Sequence, residues 1–518
     1  MENYQILIVM CIYMALVICI GLFFAKRANE NSENYFLGGR SLGPWIAAMS
    51  AEASDMSGWL LMGLPGVAYF YGLSDAIWTA IGLLAGTYIN WLIVANRLHA
   101  YSIIAGDSIT IPEFFSNRFR EDKKIIMTIA ALFIMVFFTI YASSCFVSVG
   151  KLFSTLFGIQ YQYMMIAGAV FVIVYTFLGG FLAESTSDFM QAIVMILALV
   201  GVLVTGIISA GGIGAIYDNL QQIPGFLDFF GISSPTMAEG VQQISESGAP
   251  IFGEAGKYGF LTILSTLSWG LGYFGMPQVL LRFMAIRSHK EIKKSRRIAT
   301  IWCMISLFAA VFIGLIGRAA FPVEHLTSAD AEKIFITMST SYLPTVLAGL
   351  AMAGILAATI SSSDSYLLIA SSAVSKNIYQ GLFKKDATDK QVMRISRIVL
   401  LSIALIGIII ALDENSIIFK VVSFAWAGFG ATFGPIMLFS LFWKRTTREG
   451  AIGGMLAGGG MVFIWKLLIR PMGGVLGIYE LLPAFLCSCI VIVVVSLLTK
   501  EPAKELQDEF ELAKAYKD

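Results

Sequence analysis

Long apolar stretches separated by short polar connections run the length of the chain. They lie near residues 5–25, 43–72, 76–98, 125–156, 160–182 and 188–212, and, after a long polar stretch, near 256–284, 298–320, 343–375, 396–412, 418–443, 449–469 and 478–499. A helix needs roughly 20 apolar residues to cross hydrocarbon. The pattern therefore predicts an all-α polytopic membrane protein with about 13 transmembrane helices. Only Met1, Glu2 and Asn3 precede the first run, with no basic segment, so it reads as a retained span and not a signal peptide.

Composition sharpens this picture. Of 518 residues 57% are apolar and 13% charged, about half the charged share of an ordinary soluble protein, which excludes a soluble globule. The net charge of +1 offers no overall field for nucleic acid, so the placement of charges carries the information. Alternate connections are rich in Lys and Arg: Lys26, Arg27 and Arg40; Arg97 to Lys124; Arg287 to Arg297; Lys376 to Arg397; Lys444 to Arg448; and the tail. About 27 basic residues fall on that side, which places it in the cytoplasm, with the N-terminus outside and the C-terminus inside. The stretch near 213–256 contains acids but no Lys or Arg and reads as a solvated external loop. The tail, 500–518, reads as a short surface helix.

The six cysteines lie in apolar runs without zinc-type spacing, and the three histidines sit apart at span ends, so neither a metal cluster nor a Ser/His/Asp arrangement is supported. A phosphate-cradling loop is also missing from the sequence, leaving ATP-driven pumping without support.

Polar chemistry enters the membrane in three places. The second run places Glu52, Ser54, Asp55 and Ser57 inside an apolar segment, followed by Gly58, Gly63, Pro65 and Gly66. Charge at that depth is expensive and needs a partner, and the Gly and Pro residues allow the helix to unwind and free carbonyls that can coordinate a small cation. A ligand-free polar helix interface is the plainer alternative. The ninth run puts Ser361, Ser362, Ser363 and Asp364 mid-span, where hydroxyls and carboxylate are hard oxygen ligands. Serines there also serve as small residues that let helices pack closely. The seventh run spaces Gly270, Gly272, Gly275 and Pro277 through an aromatic cluster and is a second candidate for a broken helix. Trp269 and Tyr273, four apart, share a helix face and suit either one wall of a pocket or ordinary packing.

Two interrupted spans offset by five are expected if spans 2–6 and 7–11 are inverted repeats. The predicted layout is one membrane transport unit over 1–518: span 1 at about 5–25, a first repeat at about 43–212, the external loop at about 213–256, a second repeat at about 256–443, spans 12 and 13 at about 449–499, and a cytoplasmic tail, 500–518.

Six pieces, in order, carry a resemblance: YFLGGRSLGP from Tyr35, ASDMSGWLLMGLPG from Ala53, FFTIYASS from Phe137, WGLGYFGMP from Trp269, ISSSDSYLL after Thr359 and AWAGFGATFGP from Ala425. On these the chain resembles the sodium/solute symporters over nearly its whole length, most closely the sodium/proline symporters. The resemblance implies a leucine-transporter-type 5+5 inverted repeat and secondary active transport coupling inward sodium flow to uptake of L-proline, with no enzymatic activity and no organic cofactor. It places sodium between the carbonyls of Ala53, Met56 and Ala358 and the hydroxyls of Ser361 and Ser362, and gives Asp55 a role in sodium coupling. Proline is implied next to it, near Ser57, Gly58 and Trp59, with Tyr141, Trp269, Tyr273 and Pro277 completing the pocket. Arg40 and Asp188 match cytoplasmic-side residues that influence coupling.

The chain departs from the family pattern at Glu52, where those symporters carry Gly, and at Ser362, where Thr is common and the hydroxyl is kept. The lipid bilayer and L-proline are the expected partners, nucleic acid is not, and the expected location is the cell membrane. Another small zwitterion such as a betaine or other amino acid is the alternative substrate. An uncoupled channel or a sensor on the same fold is less well supported, since the tail is too short for a regulator domain and the aromatic cluster suits an occluded pocket.

Overall fold

The computed structural model describes residues 2–28, 30 and 32–516; the end of the tail, Lys517 and Asp518, lies outside the described residues. Among these, nine helices are long and apolar enough to cross a membrane unaided: Leu73–Ile104, Ile125–Phe157, Gly180–Ser209, His289–Ala320, Thr345–Phe383, Asp389–Ile410, Ile418–Phe442, Arg448–Met472 and Leu481–Leu498. The remaining apolar runs fall on the apolar segment Tyr4–Ile20 within the helix Glu2–Ala28, the pair Pro44–Asp55 and Trp59–Tyr71, the segment Tyr161–Phe177, and an interrupted passage from Phe260 to Ala285. Below, "span" numbers follow chain order, so that span 2 is 44–71, span 3 is 73–104, span 4 is 125–157, spans 5 and 6 divide 161–209, span 7 is 260–285, span 8 is 289–320, span 9 is 345–383 and span 11 is 418–442.

Both breaks predicted from Gly and Pro are present. Span 2 stops as an α-helix at Asp55, passes through Met56, whose φ of −88° and ψ of 80° are not helical, and resumes in a widened π turn at Trp59–Gly63. Span 7 tightens from α-helix into a 3₁₀ stretch, Ser268–Gly275, and restarts at Pro277, which opens the helix Pro277–Ala285. Proline suits that first helical position because its missing N–H would have no partner there. Spans 5 and 6 are parted at Gly180, whose φ of 61° with ψ of −179° only glycine adopts readily.

Glycine also governs how closely the spans meet. A Cβ on Gly270 would lie 2.2 Å from the carbonyl oxygen of Gly82, and one on Gly82 2.7 Å from that of Leu267, so spans 3 and 7 touch backbone to backbone. At the span 2 break, a Cβ on Gly58 would lie 2.1 Å from Ser148 Oγ and 2.6 Å from Ser148 Cβ. Gly58→Ala is therefore expected to overpack the contact with span 4 and lower stability by about 1–3 kcal/mol. Thermal unfolding of the purified protein reads the loss, and adding Ser148→Gly restores the parent value if this contact is its cause.

The connection before span 7 departs from the plain solvated loop expected there. It contains a helix, Gly212–Leu220, and two pairs of short antiparallel strands, Gly231–Ile232 with Gly256–Lys257 and Met237–Ala238 with Val241–Gln242. Gln242 is buried, and its Oε1 accepts from Arg318 at 2.7 Å, so the long-range partner at the end of span 8, invisible in the local pattern, folds the segment down. The tail does form a helix, Lys504–Ala515, with Phe510 buried against Tyr101 and beneath the guanidinium groups of Arg97 and Arg118.

Candidate cation and substrate site

The carbonyl of Ala53 is set free by the way span 2 ends. In a continuing helix it would accept from the N–H of Ser57, but that N–H donates to the Asp55 carbonyl at 3.1 Å instead. Span 9 supplies what meets it. Ser361 Oγ donates to Ala53 O at 2.8 Å and stands 3.2 Å from Ala358 O, and Ser362 Oγ reaches Ala53 O at 3.3 Å. Two carbonyls and two hydroxyls thus gather between spans 2 and 9, all on buried residues, with Met56 at the cap of the break. A hydroxyl that donates here rotates to offer a lone pair when a cation arrives, so the donor set fits a small hard ion.

Around the break stands an aromatic wall. The Asp55 carbonyl accepts from Trp59 Nε1 and Tyr141 OH, each at 3.2 Å, and Tyr366 OH lies 3.5 Å away. Trp59 packs on Trp269 with ring centroids 6.3 Å apart, and Tyr273 meets Trp426 edge-on at 5.0 Å. Ser57 Oγ is buried with no partner, leaving one hydroxyl available beside Gly58. Trp269 also lines a cavity of about 570 Å³ together with Phe419, Tyr479, Asp75 and Lys420.

The Asp55 carboxylate is held by span 7. Its Oδ2 accepts from Tyr273 OH at 2.8 Å and its Oδ1 from Gln278 Nε2 at 3.3 Å. Pro277 starts the half-helix that carries Gln278. The two broken spans are therefore joined by this carboxylate, while the Ala53 carbonyl joins span 2 to span 9.

Asp188 belongs to a second polar centre. Arg282, fully buried, donates to Ser50 Oγ at 3.0 Å, Asp188 Oδ2 at 3.2 Å, Ser365 Oγ at 2.9 Å, the Gln278 carbonyl at 3.1 Å and Glu184 Oε1. Ser50 also donates to Asp188, and Ser365 to both Glu184 and the Ser361 carbonyl. Asp364 stands beside this group, with Oδ1 accepting the N–H of Ser365, and lines a small cavity with Tyr175 and Glu184. Arg40 is apart from both centres: it bonds Asp107, Ser102, and the carbonyls of Ser108 and Met284. Glu52 accepts from Trp91 Nε1 at 3.4 Å.

Sequence reading thus finds the residues at the break and on span 9 but misses Glu184, Gln278, Arg282, Ser50 and Asn90. Each is a polar residue within or beside an apolar run. That signal was available for Arg282 and Glu184, whose cost in a membrane demands a partner.

Comparison with known proteins places these features in context. The sequence profile of the sodium:solute symporter family matches residues 35–458. Proteins named sodium/proline symporter from Staphylococcus aureus, strains USA300 / TCH1516 and JH9, are each 42% identical over 507 residues, covering 96% of this chain and 94% of theirs. Among solved structures, a Na⁺-coupled sialic acid symporter in a substrate-bound outward-open state superposes with a TM-score of 0.76 at 18% identity, covering 97% of this chain and 99% of its own. MhsT in complex with L-phenylalanine gives 0.53 at 14% identity, covering 87% and 97%. At those identities the likeness speaks for the fold.

Proposed function

As this chain belongs to the sodium:solute symporter family, we propose that it couples inward sodium flow to the uptake of L-proline by alternating access. It is a multi-pass protein of the cell membrane and a transporter, not an enzyme. The observation that carries the reading is the Ala53 carbonyl, released at the break of span 2 and met by Ser361 and Ser362 of span 9.

Sodium bound there ties two spans through oxygens that otherwise bond each other. An ion held by both spans stabilises the arrangement in which they are together, and so favours one member of the conformational equilibrium. The same break carries the free Ser57 hydroxyl and the main chain around Gly58, which suit the carboxylate and secondary ammonium of proline, while Trp59, Tyr141, Trp269 and Tyr273 suit its ring. Because ion and substrate share one unwound segment, occupancy by one orders the groups that receive the other, which is the coupling. With the N-terminus outside, as the distribution of basic residues favours, each sodium ion entering gains about 2.3 kcal/mol per 100 mV of membrane potential. Arg40, Asp188 and Asp364 take supporting roles away from the ion. A different small zwitterion is the alternative cargo, since the aromatic wall favours a compact apolar body without naming it.

Uptake of labelled L-proline into proteoliposomes, with and without an inward sodium gradient, tests the reading. Sodium-dependent accumulation is expected; accumulation of another solute but not of proline overturns the substrate. Ser361→Ala removes one ligand and is expected to raise the sodium concentration for half-maximal uptake about tenfold, the weight of roughly 1–1.5 kcal/mol for one buried polar contact.

A further inference from the structure

Near its end span 8 carries Arg318, on the last turn of Ile292–Ala320 and only 1% exposed. Its Nη2 donates to Gln242 Oε1 at 2.7 Å, while Nε and Nη1 have no hydrogen-bond partner. Among the described residues it forms no ion pair, in contrast to Arg282, which holds Glu184 and Asp188.

What surrounds this guanidinium is aromatic and neutral. The rings of Tyr69 and Phe252 lie against it, with centroids 4.9 Å and 4.8 Å from its Cζ. Ring faces attract the charge, but the N–H groups in the guanidinium plane still need acceptors. The Tyr69 hydroxyl is committed elsewhere, donating to the Phe321 carbonyl at 2.6 Å and accepting from the His325 N–H at 3.4 Å. A charge taken out of water without a partner is expensive, so the position calls for an anion.

A cavity gives such an anion a way in. Arg318 lines a space of about 530 Å³ under the connection before span 7, together with Asn219, Gln222, Ser247 and Phe252, and none of the residues lining it is acidic. Asn219, Gln222 and Ser247 are exposed, so the space opens to solvent. Their amide and hydroxyl groups offer further N–H and O–H donors.

We propose that Arg318 is the centre of a site for one small monovalent anion, chloride or a short carboxylate, reached through this cavity. It lies on the face that the distribution of basic residues assigns to the outside. A single positive charge balances a single negative one, and the anion takes the N–H groups that Gln242 leaves free. Because Gln242 and Phe252 of the connection and Tyr69 of span 2 all rest on this guanidinium, occupancy fastens the connection to spans 2 and 8.

The test uses the purified full-length chain at constant sodium and ionic strength, with chloride replacing methanesulfonate. The unfolding midpoint of the parent is expected to rise by about 2–4 °C as chloride goes from none to about a hundredfold above its Kd, and radioactive chloride to bind at one ion per chain. Arg318→Met is expected to show neither. Gln242→Glu sets a carboxylate of the chain beside the guanidinium; it is expected to unfold above the parent in methanesulfonate and to lose both the shift and the bound ion, and it decides the matter if Arg318→Met does not fold. A parallel series with acetate separates the two ligands, and a shift with either anion that both variants abolish supports the site. Movement of the parent midpoint by less than about 1 °C with both anions overturns it, as does a shift of equal size in the parent and the variants, which is a general salt effect. None of these readings depends on sodium-driven uptake, so they stand or fall apart from the transport assignment.

Discussion

Asp55→Asn is expected to reduce sodium-driven uptake by about a hundredfold or more while leaving the protein folded. The substitution keeps size and planarity, and an amide oxygen still accepts from Tyr273 or Gln278, so the joint between spans 2 and 7 persists in neutral form. What goes is the charge. Removing one partner of a buried, hydrogen-bonded charge interaction costs about 2–5 kcal/mol, and each 1.4 kcal/mol is a factor of ten. Initial rates at saturating sodium and substrate, with the amount of protein in the membrane held equal, give the comparison. Uptake within about threefold of the parent would remove Asp55 from the coupling machinery, since no charge contribution of this size is compatible with so small a change.

Arg282→Met is expected to act on the fold itself. The side chain is fully buried and holds Glu184, Asp188, Ser50, Ser365 and the Gln278 carbonyl together from spans 2, 6, 7 and 9. Methionine fills much of the volume but leaves two acidic groups without their cation, a loss of about 3–5 kcal/mol. Arg282→Lys retains the charge and loses the planar fork that reaches several acceptors at once, so it falls between Met and the parent. Thermal unfolding of purified protein orders the three; a Met variant within about 2 °C of the parent contradicts a structural role, because 3–5 kcal/mol shifts the midpoint well beyond that.

The contrast between these residues shows what the chain reveals when read alone. Helices betray themselves by runs of apolar residues, and the break at Asp55–Ser57 by the coincidence of buried carboxylates with Gly58, because hydrocarbon tolerates neither charge nor free carbonyls without cause. The serines of span 9 are legible for a similar reason: three hydroxyls and an acid in succession at mid-span. Arg282, by contrast, sits alone among Leu, Phe and Met, and its acidic partners lie 94 and 98 residues earlier in the chain; nothing local says which acid it meets. Asn90 and Gln278 are neutral and singly placed, so their relevance appears only when their hydrogen bonds are followed to Asp55 and Tyr273. The hold of span 7 on the Asp55 carboxylate is likewise set by tertiary contacts. The connection before span 7 misleads for the same reason, since its anchor is the pairing of Gln242 with Arg318.

The contact between Gly82 and Gly270 has a mechanical consequence. Where side chains lie between helices they yield by changing rotamer, which gives a joint some compliance. Where Gly82 and Gly86 of span 3 face Gly270 of span 7, main chain meets main chain, and at that level the joint is stiff. Shear along it would drive carbonyl oxygens into Cα atoms, so span 3 and the 3₁₀ stretch of span 7 that holds Gly270 travel together. Distance probes placed on this pair should hold a constant separation in every state, making it a fixed datum against which the movement of the other spans is gauged.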